Sequence, residues 1–427
     1  MTIKSISTNI GKALLINAFF MFIAIVISVI EGFDSGFTPL AISFSVTFIT
    51  GMFPFIFVKS EPSATLQSGF MTIVLSWLLS FVFGMLPYVL WGGEFTLINA
   101  WFESVSGYTT TGATILTDIE SLPKSILFWR SSTHFIGGLG VIIFLLMVLP
   151  DSSAVKLRLT HLELSSLSKE GYRFRSGTTA RVMVGVYCAL TTCLFLLLWA
   201  AGMSPFDAVN HAFSTVSTGG FSTRNMSIMH YDSVIIDIIL TVFMILSSMH
   251  FGTLFAIAVK RSFKPLGNSV TRYYLSIIAV ISIIIMLSLK LQGGYESWGK
   301  ALLDSTFQTA SYISTTGFGQ ADNALWPLLA NTLLIFAAFH CGCSGSTTGG
   351  IKADRAYISI KAIYGEFQKR LHPNSMFRTR INGRILDEEA ISSVFLYIVL
   401  YLFTALVSFT LVLICGISVG DAFSGTI

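Results

Sequence analysis

Long apolar runs alternate with short polar connections along almost the whole chain. Runs long enough to cross a hydrocarbon layer of about 30 Å occur near residues 13–30, 37–58, 69–91, 125–149, 181–201, 233–259, 272–289, 325–361 and 391–416, which predicts nine spans. Among them stand LINAWFESVSG (97–107), PFDAVNHAFST (205–215) and ALLDSTFQTAS (301–311), too short to cross. Irregular backbone at membrane depth is tolerated only where it is buried in protein or lines water. These stretches are therefore expected to be re-entrant half-helices leading into loops.

Composition agrees with this pattern. The chain is 53% hydrophobic and 11% charged, against roughly 25% charged in a soluble domain, which implies an all-α integral membrane protein. Residues 2–30 carry Lys4 and Lys12 ahead of an apolar stretch, but the run continues to Glu31 without a small-x-small cleavage site and reads as the first membrane helix. Cys188, Cys193, Cys341, Cys343 and Cys415 all fall in apolar segments, and their odd number argues against a disulfide framework. A cytoplasmic N-terminus puts 21 of the 26 Lys and Arg inside, leaving Lys124, Arg130, Arg224, Lys290 and Lys300 outside. The net charge of +4 is thereby explained by topology, so no nucleic-acid partner is implied. The inner loops 151–181 and 352–384 are too short for an independent domain. Any nucleotide-binding regulatory domain must come from a separate subunit.

A repeat follows the half-helices. YTTTGATI (108–115), VSTGGFST (216–223) and ISTTGFGQ (313–320) align on Gly112, Gly220 and Gly317. Each has a Ser three positions before its first filter-like hydroxyl residue: Ser106, Ser214 and Ser311. Extended backbone over Thr109, Thr110, Thr111 and Gly112, over Ser217, Thr218, Gly219 and Gly220, and over Ser314, Thr315, Thr316 and Gly317 is expected to turn its carbonyls to a pore. Such oxygens replace the hydration shell of a monovalent cation. Glycine fits there because it lacks a Cβ, and the negative end of a half-helix favours cations.

Thr315-Thr316-Gly317-Phe318-Gly319 resembles the potassium-channel filter Thr-Val-Gly-Tyr-Gly. Fused span–pore-loop–span units, each keeping one central Gly, resemble the Trk/Ktr/HKT superfamily of potassium transporters, and the two extra N-terminal spans look like its Trk branch. The resemblance implies a pseudo-fourfold, channel-like fold with N-terminal helices at 1–66, pore units at 67–155, 156–264 and 265–370, and the start of a fourth at 371–427. It also implies a bacterial inner-membrane subunit that transports potassium and has no organic cofactor. The expected surroundings are membrane lipid, a second copy in a homodimer, and a cytosolic nucleotide-binding (RCK/KTN-type) gating subunit. Family members that prefer sodium carry Ser at the first filter Gly; Gly112, Gly220 and Gly317 favour potassium.

The last apolar run before the fourth unit is 37 residues long, 325–361, and would overshoot the bilayer as one helix. CGCSGSTTGGIK (341–352) breaks it. Small residues here, Gly342, Ser344, Gly345, Ser346, Thr347, Thr348, Gly349 and Gly350, followed by Lys352, can form a loop that blocks or opens the path; the matching family segment is an intramembrane gate. The other reading is a simple kink. His134, His250 and His340, each just ahead of a Gly, admit either equivalent packing sites or an intramembrane metal enzyme. Asp207 and Asp304 look like helix caps, whereas Glu103 fits cation attraction and structural hydrogen bonding equally. Ala422-Phe423-Ser424 matches Ala212-Phe213-Ser214, which would set the fourth filter's first residue at Ile427. A longer native product is expected on that alignment, or else a non-conducting remnant.

Overall fold

The structure is a computed structural model that describes residues 3–58, 66–148, 176–259, 261–292, 294–372, 378–382 and 384–426. The described residues form two compact units. The first holds those up to Ser247 together with Thr316–Ala321, and the second those from Ser248 to Thr315 and from Asp322 onward.

The first unit opens with α1 (Ile3–Ile30), α2 (Phe37–Phe57) and α3 (Leu66–Gly84), the last continued by α4 (Leu86–Trp91). Half-helix α5 (Leu97–Tyr108) then leads to α6 (Lys124–Val148). The pattern recurs as α7 (Ser176–Ala200), half-helix α8 (Pro205–Val216) and α9 (Val234–Ser247). Fully buried Met21, Leu40, Tyr88, Tyr108 and Trp129 make one continuous core. Two bonds pin the first half-helix assembly to α3: Ser104 Oγ donates to Phe81 O at 2.8 Å, and Trp129 Nε1 to Gly84 O at 3.1 Å.

The second unit contains α10 (Phe251–Ala258), α11 (Ser269–Leu291), half-helix α12 (Trp298–Ile313), α13 (Leu328–His340) and α14 (Ala353–Leu371). A hairpin of β1 (Arg380–Ile381) and β2 (Arg384–Ile385) follows, then α15 (Glu388–Ile414) and a fourth short helix, α16 (Val419–Thr426). Along α15, Leu396, Val399, Leu400, Phe403 and Leu406 are exposed. So continuous an apolar surface is at home in lipid rather than water. Among the described residues six helices are long and apolar enough to cross a membrane, or seven if α9 and α10 make one span.

Of α5, α8, α12 and α16, three start on a hydroxyl that takes an otherwise orphaned backbone donor. Thr96 Oγ1 accepts Asn99 N–H at 3.3 Å. Ser204 Oγ accepts Asp207 N–H at 3.0 Å and donates back to Asp207 Oδ2 at 2.9 Å. Ser418 and Asp421 repeat that exchange at 3.2 and 2.7 Å. The remaining half-helix, α12, has no side-chain cap at Ser297 and begins at Trp298 rather than near 301.

The apolar run 233–259 differs from the single span expected. It breaks between Ser247 and Phe251 although it contains neither Pro nor a Gly at the break. The break is stabilised from outside the run: Ser248 O accepts Cys343 N–H at 2.8 Å and Phe251 N–H donates to Gly345 O at 3.1 Å. The 341–352 segment therefore supplies the partners that a continuous helix would have supplied itself.

Candidate functional site

Each of the three glycine motifs begins as the C-terminal cap of its half-helix. After α5, Thr110 N–H donates to Gly107 O at 3.1 Å and Thr111 N–H to Ser106 O at 3.0 Å. After α8, Thr218 N–H donates to Thr215 O at 3.1 Å and Gly219 N–H to Ser214 O at 2.8 Å. These are the paired bonds of a Schellman cap. The residue in its left-handed position is normally Gly, yet here it is Thr110 (φ 55°), Thr218 (φ 57°) and, after α12, Thr315 (φ 58°). Two residues further on, Gly112, Gly220 and Gly317 return to positive φ at 75°, 90° and 76°. The register Ser noted in the sequence is thus the residue whose carbonyl closes the cap in the first two loops.

A β-branched residue at positive φ is a genuine outlier, and the same outlier at three equivalent sites marks a shared backbone requirement. Left-handed geometry costs an L-residue about 1–2 kcal/mol, of which glycine's greater unfolded freedom would take back about 0.5–1. Thr218→Gly is therefore expected to stabilise the protein by about 0.5–1 kcal/mol, seen as a raised unfolding midpoint in detergent. An unchanged or lowered midpoint would mean that Thr218 side-chain contacts outweigh the strain.

The loops approach one another closely within the first unit. A Cβ built on Gly112 would run into the carbonyl oxygen of Gly219, and one on Gly220 into that of Thr316. Gly317 meets nothing within 4 Å. Gly112 is thus brought to Gly219 and Gly220, and Gly220 to Thr316. Beyond Gly317, Gly319 O accepts the N–H groups of Ile228 and Met229 at 3.1 and 3.2 Å.

The outgoing limbs of the first two loops are held by braces from their own half-helices. Glu103 accepts Thr114 Oγ1 at 2.9 Å and Ile115 N–H at 3.2 Å, and His211 Nε2 lies 3.0 Å from Ser222 Oγ. Both brace residues stand three positions before the register Ser, where α12 carries buried Gln308. Glu103 also accepts Arg130 Nε at 2.6 Å, while Arg130 Nη1 donates to Ser222 O at 3.2 Å. Arg130 is 1% exposed and its guanidinium lies 3.8 Å from the Phe221 ring centroid. It links the first loop to the second, a role the sequence reading did not assign. The available signal was an Arg inside the apolar run 125–149 and a Glu inside a half-helix. Of the two roles open to Glu103, the geometry places it in structural hydrogen bonding.

Asp207 lies in the first turn of α8, where Ser204 is the cap residue, and its carboxylate also accepts Thr223 Oγ1 at 2.6 Å and Arg224 Nη2 at 3.0 Å. It thus ties the outgoing limb of the second loop to α8. Asp304 is not a cap: it is buried within α12 and accepts Tyr295 Oη at 2.8 Å. His134 sits beside Ser214 Oγ at 3.1 Å and stacks on Phe221 at 4.0 Å; His340 contacts Tyr273 Oη at 3.1 Å; His250 precedes α10. Among the described residues no three His, Cys, Asp or Glu side chains converge as a metal-ligand group.

The 341–352 segment is an ordered loop between α13 and α14. Ala353 N–H donates to Gly342 O at 2.8 Å and Ser344 N–H to Asp354 Oδ1 at 3.0 Å. Ser346 Oγ and Thr348 Oγ1 are 2.9 Å apart, and Gly349 N–H reaches Thr315 Oγ1 at 3.4 Å. Cys341, Gly345, Gly350 and Lys352 all have positive φ, and Lys352 O accepts the first donors of α14, Arg355 and Ala356 N–H. Cys341, Cys343, Ser344 and Thr348 are buried. The loop thus touches the third glycine motif directly.

Residues 40–422 match the family model described as TrkH, a cation transport protein. The chain is 34% identical over 334 residues to the Trk system potassium uptake protein TrkH of Salmonella typhimurium, covering 78% of this chain and 69% of that one. It is 35% identical over 322 residues to TrkG of Escherichia coli, covering 74% and 66%. The crystal structure of the potassium transporter TrkH from Vibrio parahaemolyticus superposes with a TM-score of 0.88 at 29% identity, over 99% of this chain and 88% of that one.

Proposed function

Because the chain belongs to the TrkH family of cation transport proteins, we propose that it is the membrane subunit of a potassium uptake system, with carbonyls of residues 109–112, 217–220 and 314–317 as its filter. The observation that carries this reading is the left-handed Thr followed two residues later by a left-handed Gly, repeated in all three loops. A backbone alternating in hand can present successive carbonyls to one side, as dehydration of a monovalent cation requires. Close approach of Gly112 and Gly220 to neighbouring carbonyls supports a ring-like arrangement. The repeating units are read as pore units at 67–155, 156–264 and 265–370, with the chain's N-terminus cytoplasmic. Expression in a potassium-uptake-deficient strain tests the function: growth at limiting potassium is expected, and growth restored only by sodium would overturn the ion assignment.

The loop of Gly342, Ser344, Gly345, Ser346, Thr347, Thr348, Gly349 and Gly350 is the proposed gate, supported by its reach to Thr315 in the third filter motif. Deleting Ser344–Thr348 should raise potassium flux several-fold, because the obstruction goes while the filter residues stay. Lost flux in monodisperse protein would instead make the loop structural.

The basic inner surface is the proposed docking face for a nucleotide-binding subunit, and a homodimer is the proposed assembly. Lys369 and Arg370 occupy the last turn of α14; Lys156, Arg158 and Lys169 lie outside the described residues.

A further inference from the structure

The gate loop is held at its two ends by different kinds of contact. Its first limb is tied down by buried bonds from α14, through Ala353 to Gly342 and Asp354 to Ser344. Its second limb is gripped by α15. Tyr397 donates its hydroxyl to Gly350 O at 3.2 Å, and the Arg355 guanidinium lies 3.9 Å from the centre of the same ring. Arg355 Nη1 also donates to Ile351 O at 3.4 Å. Gly350 and Lys352 on either side have φ of 68° and 74°, so this limb follows a path that external contacts must hold.

We propose that Tyr397 and Arg355 form a clasp through which α15 keeps the gate loop in its blocking position. Both are positioning residues, and the proposal rests on the gate reading above. Tyr397 is the releasable member: it is 37% exposed and reaches the loop from a separate helix, whereas Asp354 is 1% exposed and belongs to the helix that continues the loop. Arg355 holds the limb in two ways: its charge fixes the Tyr397 ring from one side, and its Nη1 reaches Ile351 O directly. A small displacement of α15 would then free Gly350 without disturbing the first limb.

Potassium flux into vesicles containing the full chain tests this, with Tyr397→Phe removing only the hydroxyl. Loss of a single hydrogen bond changes an equilibrium by about two- to tenfold, so maximal flux should rise by about that factor. The potassium concentration at half-saturation and the potassium-to-sodium ratio should stay unchanged, because the filter loops are untouched. Arg355→Gln should raise flux in the same direction, and the double variant should raise it by less than the product of the two single factors, since the ring contact is common to both. Wild-type flux in Tyr397→Phe while the Ser344–Thr348 deletion leaks would reject the clasp and leave the gate standing. Wild-type flux in both would remove the gate reading and the clasp with it. A changed half-saturation or ion ratio would also overturn the proposal, by placing the effect of Tyr397 at the filter.

Discussion

Arg130→Met is expected to destabilise the protein by about 3–5 kcal/mol, the cost of leaving a buried charge without its partner, and to abolish potassium uptake. Glu103 is fully buried and Arg130 is 1% exposed, with 2.6 Å between Nε and Oε1. Without the guanidinium, Glu103 keeps Thr114 and Ile115 as its donors among the described residues, and Ser222 O loses the donor from Arg130. The first effect is on stability and the second on filter geometry, which makes them separable. Arg130→Met combined with Glu103→Gln removes the orphaned charge and should recover much of the stability. Uptake should stay impaired, because Ser222 O still lacks the donor that links the second loop to the first, although His211 remains. Thermal unfolding and rubidium uptake on the parent and the two variants check both parts. A single variant within about 1 kcal/mol of the parent would show that water or rearrangement satisfies Glu103, and the bridging role would fall.

The positions of the half-helices and the glycine register were legible because both are local. An apolar stretch too short to cross, opened by Thr96, Ser204 or Ser418, specifies its own start. The early start of α12 was not legible, since Ser297 makes no such cap. Left-handed Thr110, Thr218 and Thr315 could not be read from propensity, which assigns that position to Gly. In the structure each is held by a cap bond to its own half-helix, at Gly107, Thr215 and Tyr312. The Arg130–Glu103 pair spans 27 residues and joins two elements that only the fold brings together. The break at Ser248 was hidden for a similar reason: its cause lies nearly a hundred residues away, in Cys343 and Gly345. Resemblance to the family supplied a plausible gate segment, but not that the same segment bonds to the backbone of Ser248 and Phe251.

Substitutions at Gly112, Gly220 and Gly317, the glycines of the proposed filter, should not be equivalent, and their ranking follows from what each would meet. Gly220→Ala places a methyl where Thr316 O stands, while φ is 90°. Backbone cannot retreat as a flexible side chain would, so the loops must separate, and potassium uptake should fall by at least tenfold. Gly112→Ala faces the Gly219 carbonyl at φ 75° and should behave alike. Gly317→Ser meets open space and carries only the conformational cost of φ 76°, about 1–2 kcal/mol. Uptake should therefore persist, and on the proposed filter reading the preference for potassium over sodium should fall as the backbone relaxes. Paired rubidium and sodium uptake by the three variants, normalised to protein in the membrane, measures the ranking. If Gly317→Ser were as inactive as Gly220→Ala, open space beside Gly317 would not describe the conducting protein. If Gly220→Ala transported normally, the second and third loops would not be packed as a filter requires.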